Sequence, residues 1–581
     1  MVALPLTEII VRRVFGVGVP GSGPFVQHLT LWVGFLGAAV AAREGKLLAL
    51  ATGSILPEGK VRTAAAVVSS AVAACMSTIL AWGGLQLALS ERETGTIIAA
   101  DVPAWVAQLV LPVGFALIAV RLAWRAGGWA ARLIAALGIA VGFALALSPS
   151  LLEGHSVWPA LLVVGVAAAF GAPIFAVLGG AAVLLFMHDG VTPATVLIET
   201  YALSVSPTLP AIPLFTLAGF LLAEGAASAR LLRVFRAWFG WIPGGTAVVC
   251  AVLCTFFTAF TGGSGVTILA VGGVLFPALL REGYRDRFSL GLLTTSGSLG
   301  LLLPPSLPLI LYGVVAQVPI EDLFIGGLLP GVLLTAMIGG WGVREGVIER
   351  TPRHPFRLEE ARASLWAAKW ELAMPILVVV AMFSGVATAV EAAALTACYA
   401  LVVQTVVHRD LASVRQVLRV FVECALVIGG VLVILGVAVG FTNYLVGAQV
   451  PALLVAWVRE HIASKVTFLL ALNVFLLIVG WLMEIFAAIV VVVPLIVPLG
   501  AAFGLDPVHL GIIFVANLEL GFLTPLVGIN IFLASYRFKR PVLEVCRAAL
   551  PFMAILGAGV LIITYVPWLT TGLVRILRPG T

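Results

Sequence analysis

From Ala237 to Leu280 the chain contains no Asp, Glu, Lys or Arg. A helix needs roughly 20 apolar residues to cross a bilayer. This run therefore holds two helices, and Gly262-Gly263-Ser264-Gly265 stands at its middle. Uncharged runs recur at 14–42, 63–90, 102–120, 133–152, 154–188, 200–223, 288–320, 323–343, 372–390, 424–458, 466–483, 485–505, 520–536 and 548–574. They predict about 14 to 17 membrane segments, some of them re-entrant. Charged residues are 10% of the 581, against about 25% in soluble domains, too few to cover a soluble surface. The chain reads as an all-α polytopic membrane protein. No ten-residue alternation supports a β-barrel. A cytosolic enzyme, a secreted disulfide scaffold and a nucleic-acid binder are excluded.

The net charge of +6 fits Arg and Lys gathered in cytoplasmic loops. Three charged loops are expected: Arg230 to Arg236, Arg281 to Arg287, and a long solvated connector from Arg344 to Glu371. Cys75, Cys250, Cys254, Cys398, Cys424 and Cys546 lie in apolar stretches without a CxxC pair. They read as small core residues rather than metal ligands. Residues 1–20 lack a clean signal-peptide core, since Arg12 and Arg13 interrupt them.

Shifting the chain by 221 residues superposes its helix breakers. Pro277 falls on Pro498, Gly283 on Gly504, Gly300 on Gly521 and Pro304 on Pro525. Gly219-Phe220 falls on Gly440-Phe441 and Thr246 on Thr467. Such a repeat is a frequent plan of transporters. Each half would hold an apolar segment that turns and comes back, at Thr261-Gly262-Gly263-Ser264 and at Leu482-Met483-Glu484-Ile485. Each would also hold a broken helix, at Leu303-Pro304-Pro305-Ser306 and at Thr524-Pro525-Leu526-Val527-Gly528. Proline removes a backbone donor and unwinds the turn before it. The freed carbonyls, with Ser and Thr hydroxyls, are hard oxygen ligands suited to Na⁺, and free helix N-termini suit an anion. Glu484 is the only carboxylate between Lys465 and Asp506, and reads either as an intramembrane functional group or as an interfacial helix-end carboxylate. Glu519 reads as the latter. Asn517 and Asn530 flank the second break, and either serve an ion or hydrogen-bond between helices.

The Gly262-Gly263-Ser264-Gly265 run lacks the Lys-Ser/Thr of a phosphate loop. No HExxH or GxSxG motif and no nucleotide-binding cassette is present. The reading is a transporter with no catalytic residues and no cofactor, whose energy for uphill transport comes from an ion gradient or from another chain.

At these residues the sequence resembles the membrane part of tripartite ATP-independent periplasmic (TRAP) transporters. The specific segments are Pro210 to Phe215 with Ala218-Gly219, Phe260 to Ser264, Glu282-Gly283-Tyr284, and Gly300 through Ser306. Phe324 to Gly327 with Pro330-Gly331, Leu505-Asp506-Pro507, Gly511 to Ile513, Gly521 to Pro525, Gly528 and Asn530 continue the match to the large membrane subunit. Residues 1–125 resemble the small subunit, through Leu29 to Ala39. The division is then 1–125 small-subunit unit, 126–156 linker and 157–581 transporter domain. Within the last, repeat 1 covers about 205–343, a cytoplasmic connector 344–371, and repeat 2 about 424–570.

The resemblance implies a multi-pass protein of the bacterial inner membrane. It implies Na⁺-driven elevator-type import of an organic acid, often a dicarboxylate, delivered by a soluble periplasmic binding protein. The alternative is a sodium/organic-anion symporter working without a binding protein. Carried over by position, sodium and substrate would be held by Thr261, Gly262, Gly263, Ser264, Pro304, Pro305, Ser306, Glu484, Thr524, Pro525, Gly528 and Asn530. The side chains or backbone of Thr261, Ser264, Ser306, Thr524 and Gly528 would be nearest to Na⁺. Two departures from the family pattern stand out. The first tip has Gly263 where a serine is usual, and Leu526 replaces a second proline. The N-terminal unit is also short.

Overall fold

In a computed structural model, residues 1–49, 59–385, 387–524 and 528–578 are described. Nearly all of them are helical, as a medium without water demands of backbone polar groups. The N-terminal unit has an amphipathic helix α1 (Ala3–Phe15), then α2 (Ser22–Glu44), α3 (Lys60–Thr94), α4 (Ala104–Gln108) continued by α5 (Val110–Arg125), and α6 (Trp129–Leu147). A short hairpin pairs β1 (Ile97–Ala99) with β2 (Val102–Pro103). Next come α7 (Trp158–Ala169), α8 (Ile174–His188) and α9 (Ala194–Ser204).

The first half contains α10 (Ala211–Glu224), α11 (Ala227–Phe239), α12 (Gly245–Thr261), α13 (Ser264–Arg281), α14 (Asp286–Ser296), α15 (Leu307–Ala316) and α16 (Ile320–Ile348). After it come α17 (Leu358–Ala367), α18 (Lys369–Phe383) and α19 (Ala389–Val402). The second half contains α20 (Val414–Gly447), α21 (Val450–His461), α22 (Lys465–Leu482), α23 (Ile485–Ala502), α24 (Pro507–Gly521), α25 (Ile529–Phe538), α26 (Val542–Tyr565) and α27 (Trp568–Leu577).

Among the described residues, 11 helices are long and apolar enough to cross a membrane, or up to 14 if each bent pair is one span. That range meets the lower end of the sequence expectation; the remaining uncharged runs form shorter helices. Large apolar side chains such as Leu137, Leu162 and Trp158 face outward, where lipid and not water covers them. Five of the six cysteines are buried and Cys398 is partly so.

The 221-residue offset is visible in the backbone. The legs Ser264–Arg281 and Ile485–Ala502 superpose end to end under it. Gly283 and Gly504 both adopt positive φ after them, +86° and +63°. Beyond the breaks the register slips by one: Gln317 and Lys539, 222 apart, both end a ten-residue half-helix in the left-handed region.

The N-terminal unit docks by close backbone approach. A Cβ at Gly37 of α2 would collide with the Ala425 carbonyl of α20, and one at Gly429 of α20 with the Ala38 amide. Small residues at such crossings let membrane helices pack without a hydrophobic driving force. This explains the glycines in the Leu29–Ala39 segment. Arg12 of α1 adds an ion pair to Glu391 of α19 at 2.8 Å.

One end of the N-terminal bundle is basic. Arg125 reaches the carbonyls of Ala42 (3.5 Å) and Arg43 (3.3 Å) there. Following the helices from that end, the Lys and Arg residues fall on the same side, apart from Arg12, Arg13, Arg92, Arg459, Lys465, Arg575 and Arg578. The basic side is the cytoplasm.

Two expected loops are corrected. Arg230 to Arg236 lie on α11, an amphipathic helix bent 76° from α10, because arginines at every third position form one helical face. The connector is not wholly solvated, because Glu371 is buried in the first turn of α18. Arg230 bonds both Glu371 (2.6 Å) and Asp410 (2.8 Å).

Candidate ion and substrate site

The first tip forms where α12 ends at Thr261 and α13 begins at Ser264. Gly262 has φ +64° and its N–H bonds the Thr258 carbonyl at 2.9 Å. This left-handed cap is open mainly to glycine. The Thr258 hydroxyl lies 2.7 Å from that of Thr267. Nine residues of straight helix would put these groups about 13 Å apart, so the chain folds back. Thr258 Oγ1 is also 2.8 Å from the Gly297 carbonyl, which the first break frees between α14 and the 3₁₀ turn Leu299–Leu302. Thr261 Oγ1 lies 3.4 Å from both the Gly263 carbonyl and Thr267 Oγ1.

The first break is seated directly on the first tip. A Cβ at Gly300 would strike the Thr255 carbonyl and the Ala259 amide, and one at Gly262 would strike Leu307. The Pro304–Pro305 peptide is cis. Ser306 is buried, and its hydroxyl bonds the Leu301 carbonyl. Asn530 of α25 donates to the Thr294 carbonyl at 3.3 Å, and a Cβ at Gly265 would meet Leu533 of the same helix. The first tip, the first break and the half-helix after the second break thus converge.

At the second break, Thr524 Oγ1 bonds the Gly521 carbonyl at 2.6 Å, and the Gly528 N–H bonds the Thr524 carbonyl at 3.1 Å. Gly521 lies against Gly480 of α22, as Gly300 lies against α12. Pro525, with Leu526 and Val527, is outside the described residues.

Glu484 is half-buried at the second tip and accepts the Phe486 N–H at 3.0 Å, capping α23. Among the described residues it makes no hydrogen bond to the first tip's hydroxyls. It borders a separate cavity of about 610 Å³ between the repeat core, α10, α20 and the N-terminal unit.

Several deeply buried polar atoms have no hydrogen-bond partner among the described residues. Those near the two breaks are Thr295 Oγ1, Ser296 Oγ, Asn517 Oδ1, Asn530 Oδ1 and both carboxylate oxygens of Glu519; others, among them those of Gln108 and Gln404, lie elsewhere. Each such atom costs about 1–3 kcal/mol unless a ligand satisfies it. Glu519 is 1% exposed, which corrects its reading as an interfacial carboxylate. Asn517 donates to Asn473 Oδ1 at 2.7 Å, a helix-to-helix bond between α24 and α22. Among the described residues no group of three His, Cys, Asp or Glu could hold a metal. The donors gathered at the convergent site are hydroxyl, amide and carbonyl oxygens.

Sequence reasoning missed Thr258, Thr267, Thr295 and Ser296. A signal for them existed. Thr258 and Thr261 share a helix face in an otherwise apolar run, and Thr294-Thr295-Ser296 stands just before the break.

Family comparison agrees with this architecture. Residues 161–569 match the sequence model of the tripartite ATP-independent periplasmic transporter, DctM component, and residues 1–132 that of the DctQ component. The chain belongs to the TRAP transporters. It is a TRAP permease with small and large membrane components fused. The isethionate TRAP transporter permease protein DctMQ of Oleidesulfovibrio alaskensis is 35% identical over 81% of this chain and 75% of that one. The C4-dicarboxylate TRAP transporter large permease protein DctM of Pseudomonas aeruginosa is 34% identical over 67% of this chain and 91% of that one. The ectoine TRAP transporter large permease protein TeaC of Halomonas elongata is 31% identical over 68% and 93%. The TRAP permease is accordingly a multi-pass protein of the bacterial inner membrane.

Proposed function

We propose that this permease imports an organic acid, a carboxylate or sulfonate, received from a soluble periplasmic binding protein and driven by the Na⁺ gradient. The observation that carries the reading is the convergence of the first tip, the first break and Asn530 around buried oxygens that lack protein partners. Hydroxyl, amide and carbonyl oxygens without a fixed charge suit a small hard cation that must bind and leave in each cycle. Thr261, Gly262, Gly263, Ser264, the Pro304-Pro305-Ser306 break, Thr524, Pro525, Gly528 and Asn530 hold Na⁺ and substrate. Glu484 acts at the second tip. The relatives named for isethionate and C4-dicarboxylates support an organic anion as cargo.

Residues 1–125 serve as the small subunit, 126–156 as a linker and 157–581 as the transporter. The hairpins and broken helices move as an elevator against α2, α10 and α20. The N-terminal unit, which a symporter working alone would not need, favours dependence on a binding protein. In proteoliposomes, uptake of the labelled acid is expected only with external Na⁺ and the cognate binding protein. Robust uptake of free acid without that protein overturns the tripartite reading.

A further inference from the structure

The cavity beside Glu484 has an unusual charge pattern. Its described lining includes three carboxylates: exposed Glu224 at the end of α10, and half-buried Glu423 of α20 and Glu484. The repeat core supplies one wall through Val266 and Phe486. Among the described residues that line it, the one basic side chain is Lys46, and it comes from the N-terminal unit. The carboxylates of Glu224 and Glu423 repel an organic anion from such a space, whose low-dielectric walls strengthen the field inside.

The backbone holds Lys46 at that place by several independent bonds. Gly45 takes φ +69° to end α2, and the Lys46 N–H bonds the Ala41 carbonyl at 2.9 Å. The Arg125 guanidinium packs over Gly45, where a Cβ would collide with it. Two residues on, the Leu48 carbonyl accepts the Ile174 N–H at 2.9 Å, and Ala49 pairs with Pro173. The Lys46 side chain itself has no hydrogen bond or ion pair among the described residues. Lys46 is exposed, so a fixed backbone presents its ammonium to whatever enters the cavity.

We propose that Lys46 is the cation that receives the carboxylate or sulfonate of the cargo on the cytoplasmic side, drawing it past Glu224, Glu423 and Glu484 toward release. The inference rests on the import reading above. It gives the N-terminal unit a direct contact with cargo in addition to its docking on α20. Lys46 acts through charge in a space open to solvent, so its effect weakens as salt shortens the screening length from roughly 10 Å at 0.1 M to roughly 3 Å at 1 M.

The test has two arms. In the first, Ala223→Cys, which lines the same cavity, is reacted with sulfonatoethyl and trimethylammonioethyl thiosulfonates, and the reaction of the parent chain is subtracted. Lys46→Gln is expected to lower the ratio of anionic to cationic reaction rates about threefold or more at low salt. Lys46→Arg should keep the ratio, and high salt should shrink the difference. In the second arm, binding-protein-dependent uptake of the labelled acid is measured with choline chloride varied inside the liposomes. Lys46→Gln is expected to slow maximal uptake about threefold at low internal salt while KM for loaded binding protein, which docks on the other face, is unchanged. An unaltered rate ratio overturns the proposal. An altered ratio with unaltered uptake also overturns it, because the cargo then does not use this charge. Absence of Na⁺-driven uptake in the wild type strikes the import reading instead, and the first arm still decides whether Lys46 draws anions.

Discussion

At the first hairpin tip the chain places hydroxyls: Thr258, Thr261, Ser264 and Thr267. Shifted by 221 residues, those positions are Val479, Leu482, Ile485 and Ala488, and the polar group of the second tip is Glu484, where the first has Gly263. The breaks differ as well, although the first has polar groups of its own in Thr295, Ser296 and Ser306. In the second half Thr524 and Asn530 stand where the first has Leu303 and, with the one-residue slip beyond the break, Pro308. One backbone plan thus carries two kinds of chemistry. The neutral tip is closed onto its break by hydroxyl bonds, and the acidic tip is open to a cavity shared with the N-terminal unit. The repeat keeps what the backbone needs, such as Gly300 and Gly521 against their neighbouring legs. It leaves the side-chain ligands free to diverge.

The surface arms differ in the same sense. In the first half α11 is held by the buried Arg230–Glu371–Asp410 cluster, and in the second α21 by exposed Arg459 on the Ala502 carbonyl. Breaking a buried ion cluster leaves an uncompensated charge, so Arg230→Gln should lower stability by about 2–3 kcal/mol after allowance for its partial exposure. Arg459→Gln should change it by less than about 0.5 kcal/mol. Thermal denaturation of both variants checks this, and equal losses would erase the contrast. Burial pushes Asp410 upward, but hydrogen bonds from Arg230 and the Ala226 N–H outweigh it and hold the carboxyl below its ordinary range. A lowered folded pKa gives stability that is complete above the unfolded value of about 3.9. That stability is lost as pH falls through the lower folded value. The acid loss assigned to Asp410 should be smaller in Arg230→Gln.

Next in size is Thr258→Val. It orphans the Gly297 carbonyl at a cost of about 1–3 kcal/mol and should reduce Na⁺-driven uptake about tenfold or more. The equivalent Val479→Thr should leave uptake within about twofold. Comparable losses from both would mean that the tips are not chemically distinct.

Gly300→Ala and Gly521→Ala should each cost about 1–3 kcal/mol through overpacking, read as similar falls in Tm. A loss in one half only would show that the breaks are not seated alike. The smallest effects belong to Ser264→Ala and Thr524→Ala. Each should raise the Na⁺ concentration for half-maximal uptake about fivefold, equivalent to about 1 kcal/mol, with expression intact. If both keep the wild-type Na⁺ response, side-chain hydroxyls are not ligands.

Much of this was legible in the sequence because breakers act locally. Proline and glycine in a constant register located the break in each half, and charge gaps located the helices. What was not legible depends on partners far apart in the chain. Glu519 sits near a helix end, and its sequence neighbours do not reveal that other helices bury it. Arg230 to Arg236 carried a helical spacing, but their partners Glu371, Asp410 and Glu282 are contributed by other segments. Thr258 stood out little in an apolar run until the fold placed the Gly297 carbonyl beside it. Nothing in the sequence around Lys46 sets it apart, and only the fold places it in one cavity with three carboxylates.

The central claim is that two unlike tips on one repeated backbone couple Na⁺ to binding-protein-delivered uptake. It is tested most directly by initial uptake of the labelled acid into proteoliposomes as external Na⁺ is exchanged for choline, with and without the cognate binding protein. The account predicts uptake only when both are present. Equal uptake in choline, or full uptake of free acid without the binding protein, would contradict it.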